Sequence, residues 1–257
     1  MRADGGRVAV ITGASRGLGM ALARALGAEG WRLVIDARGG EALERARAEL
    51  ESVPEVRAVA GDVADEAHRR RLIEEAGAMG GLDLLVNNAS LLGPSPQPAL
   101  RDYPLVVLED VYRANVFAPL RLVQLALPLL RDSGDGRIVN VTSDAAVEGY
   151  EGWGGYGSSK AALEQLSNVL AAEHPDLRVY WVDPGDMNTR MQEEAYPGED
   201  VSDRPPPETS VPGLLRLIEG DLPSGRYRAR DLAPATFSIA GASGTDPGRG
   251  EAAGGVA

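Results

Sequence analysis

The sequence predicts an α/β fold: a doubly wound parallel sheet with helices on both faces, three layers in a single domain. Three observations predict it. Six apolar, β-type runs alternate with helical patterns along the chain. These runs are continuously apolar, as strands buried on both faces are, whereas half-buried strands would alternate. The unusual residue clusters fall at the carboxyl ends of the runs, where ligands bind on such sheets.

The elements follow in order. "RVAVIT" (7–12) precedes a helix over 17–29, and "WRLVID" (31–36) precedes one over 41–51. "EVRAVA" (55–60) leads to a charged helix over 65–79. "LDLLVNN" (82–88) leads through a Pro-rich loop to one long helix over 105–131. "RIVNVTS" (137–143) precedes a helix beginning near Gly155, and "LRVYWVD" (177–183) ends at Pro184-Gly185. After Met191 the periodicity stops. Residues 192–213, with "RPPPE", read as a structureless substrate loop, because several prolines oppose helix and strand. A short helix is expected over 208–219. The domain is read as residues 1–233, including that loop, and 234–257 as a disordered tail.

The totals exclude several classes of function. The 257 residues are 44% hydrophobic, enough for a core in one large domain. The net charge, 26 − 38 = −12, argues against nucleic acid and anionic membrane as partners. Without cysteine there is no disulfide, thiolate metal site or Cys nucleophile. The start "MRADGGRVAVITG" has no signal-type apolar stretch, and "LRLVQLALPLL" (120–130) is too short and interrupted to span a bilayer. A cytoplasmic protein is expected.

Two stretches carry chemistry. "TGASRGLG" (12–19) links the first strand to the first helix. Its glycines allow a sharp turn and close approach to a pyrophosphate at a helix N-terminus; alone it is equally an ordinary βα turn. In "GYEGWGGYGSSK" (149–160), Tyr156 lies four residues before Lys160, so a helix starting near Gly155 puts both on one face. An ammonium beside a phenol favours the ionised phenol. Alone, such a pair is also accidental packing.

Together with "NNAS" (87–90), Asn115, Ser143 and "DPG" (183–185) followed by Thr189, these stretches resemble the short-chain dehydrogenase/reductase family, in its TGxxxGxG and YxxxK branch. The resemblance runs from about Arg7 to Met191. It implies a Rossmann-type NADP-binding domain and a hydride exchanged between nicotinamide and a carbonyl/alcohol pair. Tyr156 would be the general acid/base. Lys160 would lower the Tyr156 pKa and hold the nicotinamide ribose, Ser143 would bind the substrate oxygen, and Asn115 would hold a water in a relay with Lys160. Gly13, Ser15, Arg16, Gly17, Leu18 and Gly19 of the loop would contact the cofactor, as would Asp62 and Val63 of "GDV", Asn88, Ala89, Pro184, Gly185 and Thr189. Ser90 replaces the family's usual glycine.

The second strand ends "LVIDARGG". Arg38 matches the family's NADP-selecting arginine and Arg16 the basic residue of the loop, and two arginines can clamp a phosphate. Asp36 points the other way, since a carboxylate there binds the ribose of NAD or repels a phosphate. NADP(H) is favoured over NAD(H). Leu91, Leu92, Ala145, Tyr150, Trp153, Met187, Met191 and Tyr196 are expected to line a mostly apolar substrate pocket. The apolar faces of the two long helices imply a homodimer or homotetramer. His68 and His174 read as surface residues, and no catalytic metal is expected. Two other readings stand beside the oxidoreductase. A non-catalytic dinucleotide sensor or scaffold would often lose Tyr or Lys. A sugar-nucleotide epimerase would show TGxxGxxG.

Overall fold

The computed structural model describes residues 6–232. The expected tail, 234–257, lies outside the described residues. In order, the chain forms β1 (Val8–Ile11), α1 (Gly17–Ala28), β2 (Arg32–Ala37), α2 (Gly40–Ala48), β3 (Val56–Ala60), α3 (Glu66–Ala78) and β4 (Leu84–Asn87). Next come α4 (Leu105–Tyr112), α5 (Ala118–Ser133), β5 (Arg137–Val141), α6 (Gly154–Glu173) and β6 (Arg178–Asp183). The described residues continue with α7 (Arg190–Ala195), α8 (Val211–Glu219), β7 (Gly225–Arg228) and α9 (Ala229–Leu232).

The seven strands among the described residues are all parallel, in the order β3-β2-β1-β4-β5-β6-β7. The chain winds outward from β1 to β3, then crosses back to place β4 against the other side of β1. That reversal opens a crevice at the carboxyl edge. Strand side chains serve two cores. Ala9, Ile11, Leu33 and Ile35 pack under α1, α2 and α8, whereas Val8, Val10 and Val34 face α3 and α5. Each fully buried Val, Leu or Ile contributes about 1.5–3 kcal/mol. Burial on both faces is why these strands are apolar throughout.

Three expectations are corrected here. A seventh strand, β7, extends the sheet beyond β6. The expected single helix over 105–131 is interrupted by a π-turn at Arg113–Phe117, which displaces Asn115 inward. Residues 192–213 are not structureless: they contain most of α7 and a 3₁₀ turn at Pro207–Ser210, and they reach into α8. Arg137, at the foot of β5, caps the far end of α8 by donating to the carbonyls of Leu217 (2.9 Å), Ile218 and Gly220 (2.7 Å). Among the described residues no helix is long and apolar enough to cross a membrane.

Candidate active site

The crevice begins at the glycine loop. Gly13 has φ +67°, and a Cβ there would fall 2.9 Å from the Ala89 Cα, so the turn needs glycine for both reasons. A Cβ at Gly19 would lie 2.5 Å from the Gly13 carbonyl. Gly19 therefore lets α1 press onto the loop and does not line the cleft, contrary to its expected cofactor contact. Thr12 Oγ joins the loop to the end of β4, accepting from the amides of Asn88 and Ala89 at 3.0 Å each.

One cleft of about 1620 Å³ runs along the carboxyl edge. Every expected catalytic and cofactor-binding residue lines it except Gly19 and Asn115. At one end Arg16 and Arg38 are exposed and have no ion-pair partner among the described residues. They flank a glycine turn that opens onto the N-terminus of α1, whose first turn carries no acidic side chain. Two free guanidinium groups in a cleft that also holds a helix N-terminus suit the phosphates of a dinucleotide. Asp62 is occupied with its own turn, accepting from the Ala64 amide at 2.8 Å, and it is Asp65 that caps α3 through the Ala67 amide at 3.1 Å.

The expected surface role of His68 is overturned. His68 is 6% exposed and its Nε2 lies 2.9 Å from Asp36 Oδ2, while Asp36 Oδ1 accepts from the Gly13 amide at 2.6 Å. The Asp36 carboxylate is 1% exposed and turned toward these two groups. His174, by contrast, stays near the surface against Arg131.

At the other end Tyr156 and Lys160 stand one turn apart on α6, buried at 7% and 2% exposure. Lys160 Nζ donates to the Val141 carbonyl at 2.8 Å and lies 5.4 Å from the centre of the Tyr156 ring. Burial pushes Lys160 down to about 7. Burial also raises Tyr156 well above the ordinary phenol value; the Ser90 hydroxyl opposes this, and the carboxylates of Asp144 and Asp183 add to it. The expected lowering of Tyr156 by its lysine is thus reversed here. Desolvation favours the neutral form of both groups, which leaves the phenol holding its proton.

Ser143 Oγ donates to Asp144 Oδ1 at 2.9 Å and accepts from the Ala145 amide at 3.1 Å. Asp144 Oδ2 accepts from the Tyr150 hydroxyl at 2.9 Å. Behind them Glu164 of α6 binds Thr142 Oγ (2.8 Å) and Arg226 Nε (3.0 Å), while Arg226 reaches the Ser143 carbonyl (3.3 Å). Strand β7 and helix α6 together hold the end of β5.

Asn115 does not reach the cleft. Its amide donates to the Leu91 carbonyl (2.9 Å) and Ser159 Oγ (3.0 Å) and accepts from the Leu91 amide (2.8 Å) and Ser90 Oγ (3.2 Å). Both of its amide protons are used, so the side chain rivets the loop after β4 to α6 and has no proton left for a water.

Of the expected pocket residues, Leu91, Tyr150, Trp153, Met187, Met191 and Tyr196 line the cleft; Leu92 and Ala145 are buried behind it against Tyr156. Trp153 meets Tyr150, Tyr156 and Tyr196 with ring centres 5.8–6.4 Å apart. The segment carrying Tyr196 is pinned over this end. Asn188 N donates to Pro205 O at 2.8 Å, Ser95 Oγ to Glu194 O at 2.6 Å, and the Arg204 guanidinium stacks 4.4 Å from the Tyr196 ring. Ser210 Oγ donates to Pro184 O at 2.8 Å. Sequence reasoning missed Thr12, Asp144, Glu164 and Arg226. Thr12, the first residue of the glycine loop, and Asp144, adjacent to Ser143, stood where they could have been flagged.

The sequence and the fold are similar to those of known proteins. Rhamnolipids biosynthesis 3-oxoacyl-(acyl-carrier-protein) reductase of Pseudomonas aeruginosa is 34% identical over 251 residues, 93% of this chain and 91% of that one. Mouse sepiapterin reductase is 36% identical over 210 residues, 76% of this chain and 80% of that one. A solved short chain dehydrogenase from Shigella flexneri, complexed with NADP, superimposes with a TM-score of 0.81 at 30% identity, over 87% of this chain and 97% of that one. The family model described as short chain dehydrogenase matches residues 7–200, from the first strand to just past α7. With the parallel sheet, the glycine turn and the Tyr–Lys pair gathered at one edge, the match is one of architecture as well as sequence, and the chain belongs to the short-chain dehydrogenase family.

Proposed function

We propose that the protein is an NADP(H)-dependent carbonyl reductase or alcohol dehydrogenase acting on a small, largely apolar carbonyl/alcohol pair, with Tyr156 as general acid/base. The observation that carries this reading is the buried Tyr156–Lys160 pair beside Ser143, in the same cleft as the two free arginines. The oxo group in the name of the Pseudomonas aeruginosa relative points the same way.

The nicotinamide supplies or accepts the hydride. The chain's own residues do the rest. Arg38 and Arg16 would hold the 2′-phosphate, and the Gly13–Gly17 turn would hold the pyrophosphate. Pro184, Gly185 and Thr189 line the nicotinamide end. In reduction, the neutral Tyr156 hydroxyl gives its proton to the carbonyl oxygen as negative charge builds there, and burial keeps that proton in place until then. Ser143 turns its hydroxyl from Asp144 to the same oxygen. Lys160 holds the ribose hydroxyls, and on taking a proton it favours the phenolate needed for the reverse reaction. Asn115 is a positioning residue for Ser90 and Leu91. Residues 192–213 close over the substrate and exclude water.

The protein would work in the cytoplasm as a homodimer or homotetramer. Support for assembly comes from Leu105, Val106, Phe117 and Val169, apolar side chains 40–73% exposed on α4, the π-turn and α6. Turnover across a panel of aryl and alkyl ketones, with NADPH and with NADH, tests the proposal. Cofactor binding with no oxidation of the reduced cofactor by any carbonyl and no reduction of the oxidised cofactor by any alcohol would refute it.

A further inference from the structure

The cofactor end of the cleft contains a contradiction that the fold resolves with a residue from a different helix. A carboxylate at the end of the second strand ordinarily takes the ribose hydroxyls of NAD, whereas an arginine nearby takes the phosphate of NADP. Here Asp36 and Arg38 stand two residues apart at the end of β2, and both line the cleft. Arg38 is exposed, whereas the Asp36 carboxylate is turned away, with the Gly13 amide on one oxygen and His68 Nε2 on the other.

His68 comes from α3, thirty-two residues on. Room for its ring is made by Gly61, just after β3, where an added Cβ would fall 2.2 Å from His68 Nδ1. Gly61 N also donates to Ala37 O at 3.0 Å, so the ring is seated against backbone that continues the β2–β3 pairing. Asp62, the other acid near Asp36, is exposed and gives one oxygen to the Ala64 amide. Burial raises the Asp36 pKa, and His68 is the chief opposing influence. A carboxylate there needs donors for both oxygens.

On the reading of this cleft as an NADP(H) site, we propose that His68 sets cofactor preference by holding the Asp36 carboxylate inward, away from the place where a 2′-phosphate meets Arg38 and Arg16. His68 is a positioning residue, acting on the cofactor only through Asp36. Without it one carboxylate oxygen loses its partner, and turning into the cleft that Asp36 lines brings it against the 2′-position.

The test is separate titration of NADPH and NADH against the full chain, followed by fluorescence, for the wild type, Asp36→Asn, His68→Leu and the double variant. Wild-type protein that binds neither cofactor would sink the reading of the cleft itself. Given wild-type preference for NADPH, His68→Leu is expected to lower the NADPH-to-NADH affinity ratio about tenfold, equivalent to about 1.4 kcal/mol. Asp36→Asn is expected to leave the ratio within about twofold, and the double variant to restore it. Equal weakening of both cofactors by His68→Leu would overturn the proposal, because the pair would then only brace the glycine loop. So would a large rise in the ratio for Asp36→Asn, which would mean that the carboxylate already faces the cofactor. If leucine is not tolerated, His68→Asn, polar but too short to reach Asp36, carries the same expectations.

Discussion

Lys160→Met should stabilise the free protein near neutral pH and remove a pH dependence that the wild type shows. Lys160 is 2% exposed, and burial lowers its pKa from 10.5 to about 7. The unfolded chain keeps this proton up to 10.5 and the native state gives it up near 7, so the unfolded state binds more protons in between. Native stability therefore rises with pH across that window and is lowest below it. The full span, 10.5 − 7 = 3.5, corresponds to about 5 kcal/mol at about 1.36 kcal/mol per unit. Between pH 7.5 and 9.5 the gain should be about 2–3 kcal/mol. Methionine keeps the apolar stem and has nothing to titrate. Urea unfolding at pH 7.5, 8.5 and 9.5, wild type against Lys160→Met, subtracts every other titrating group. Parallel curves for the two proteins would mean that the native lysine is charged throughout, and would refute the neutral Tyr–Lys pair.

Tyr156→Phe should lower kcat by ~10²–10⁴ with cofactor affinity changed only a few-fold, and a variant keeping more than a tenth of wild-type kcat would place the acid elsewhere. Arg38→Ala should weaken NADPH by ~1.5–3 kcal/mol and NADH hardly at all in direct titrations; equal losses would make Arg38 a general structural residue. Light scattering at micromolar concentration should report an oligomer, and a 27.0 kDa particle would exclude one. A glutamate-specific protease should cut near Glu193 or Glu199 more slowly once NADPH and a substrate analogue are bound; equal rates would leave 192–213 a passive loop.

Six strands were legible because strands buried on both faces must be apolar along their whole length. β7, "GRYR", was not, because an edge strand whose arginines pair with Glu164 and Asp183 looks like any polar turn. The π-turn at 113–117 is invisible in a pattern whose residues all suit a helix. The Tyr156–Lys160 pair was legible because the spacing of four survives into the fold, but its ionisation was not, since burial depends on the whole of α6 and its neighbours. His68 sits in "EAHRRR" and reads as solvated; its burial is decided by Asp36 and Gly61, which periodicity within its own helix cannot register. Asn115 was found by its place in a motif, yet its work depends on Leu91 and Ser159, which only the tertiary structure brings to it.

The hydrogen bond from Ser210 to Pro184 ties together the two ends of the segment that crosses the cleft, and Asn188 with Pro205 forms a second rung inside it. In polymer terms the loop is already closed at its base, and α8 is anchored at its other end by Arg137. Lengthening such a loop costs only about 0.6 kcal/mol for each doubling. Insertions and substitutions at its tip, around 197–204, can therefore reshape the wall around Trp153 without disturbing the sheet or the Tyr156–Lys160 pair. On the proposed reading of this segment as the wall over the substrate, it is an exchangeable cassette: substrate range can drift, or be engineered, one loop at a time while the rest of the domain keeps its stability.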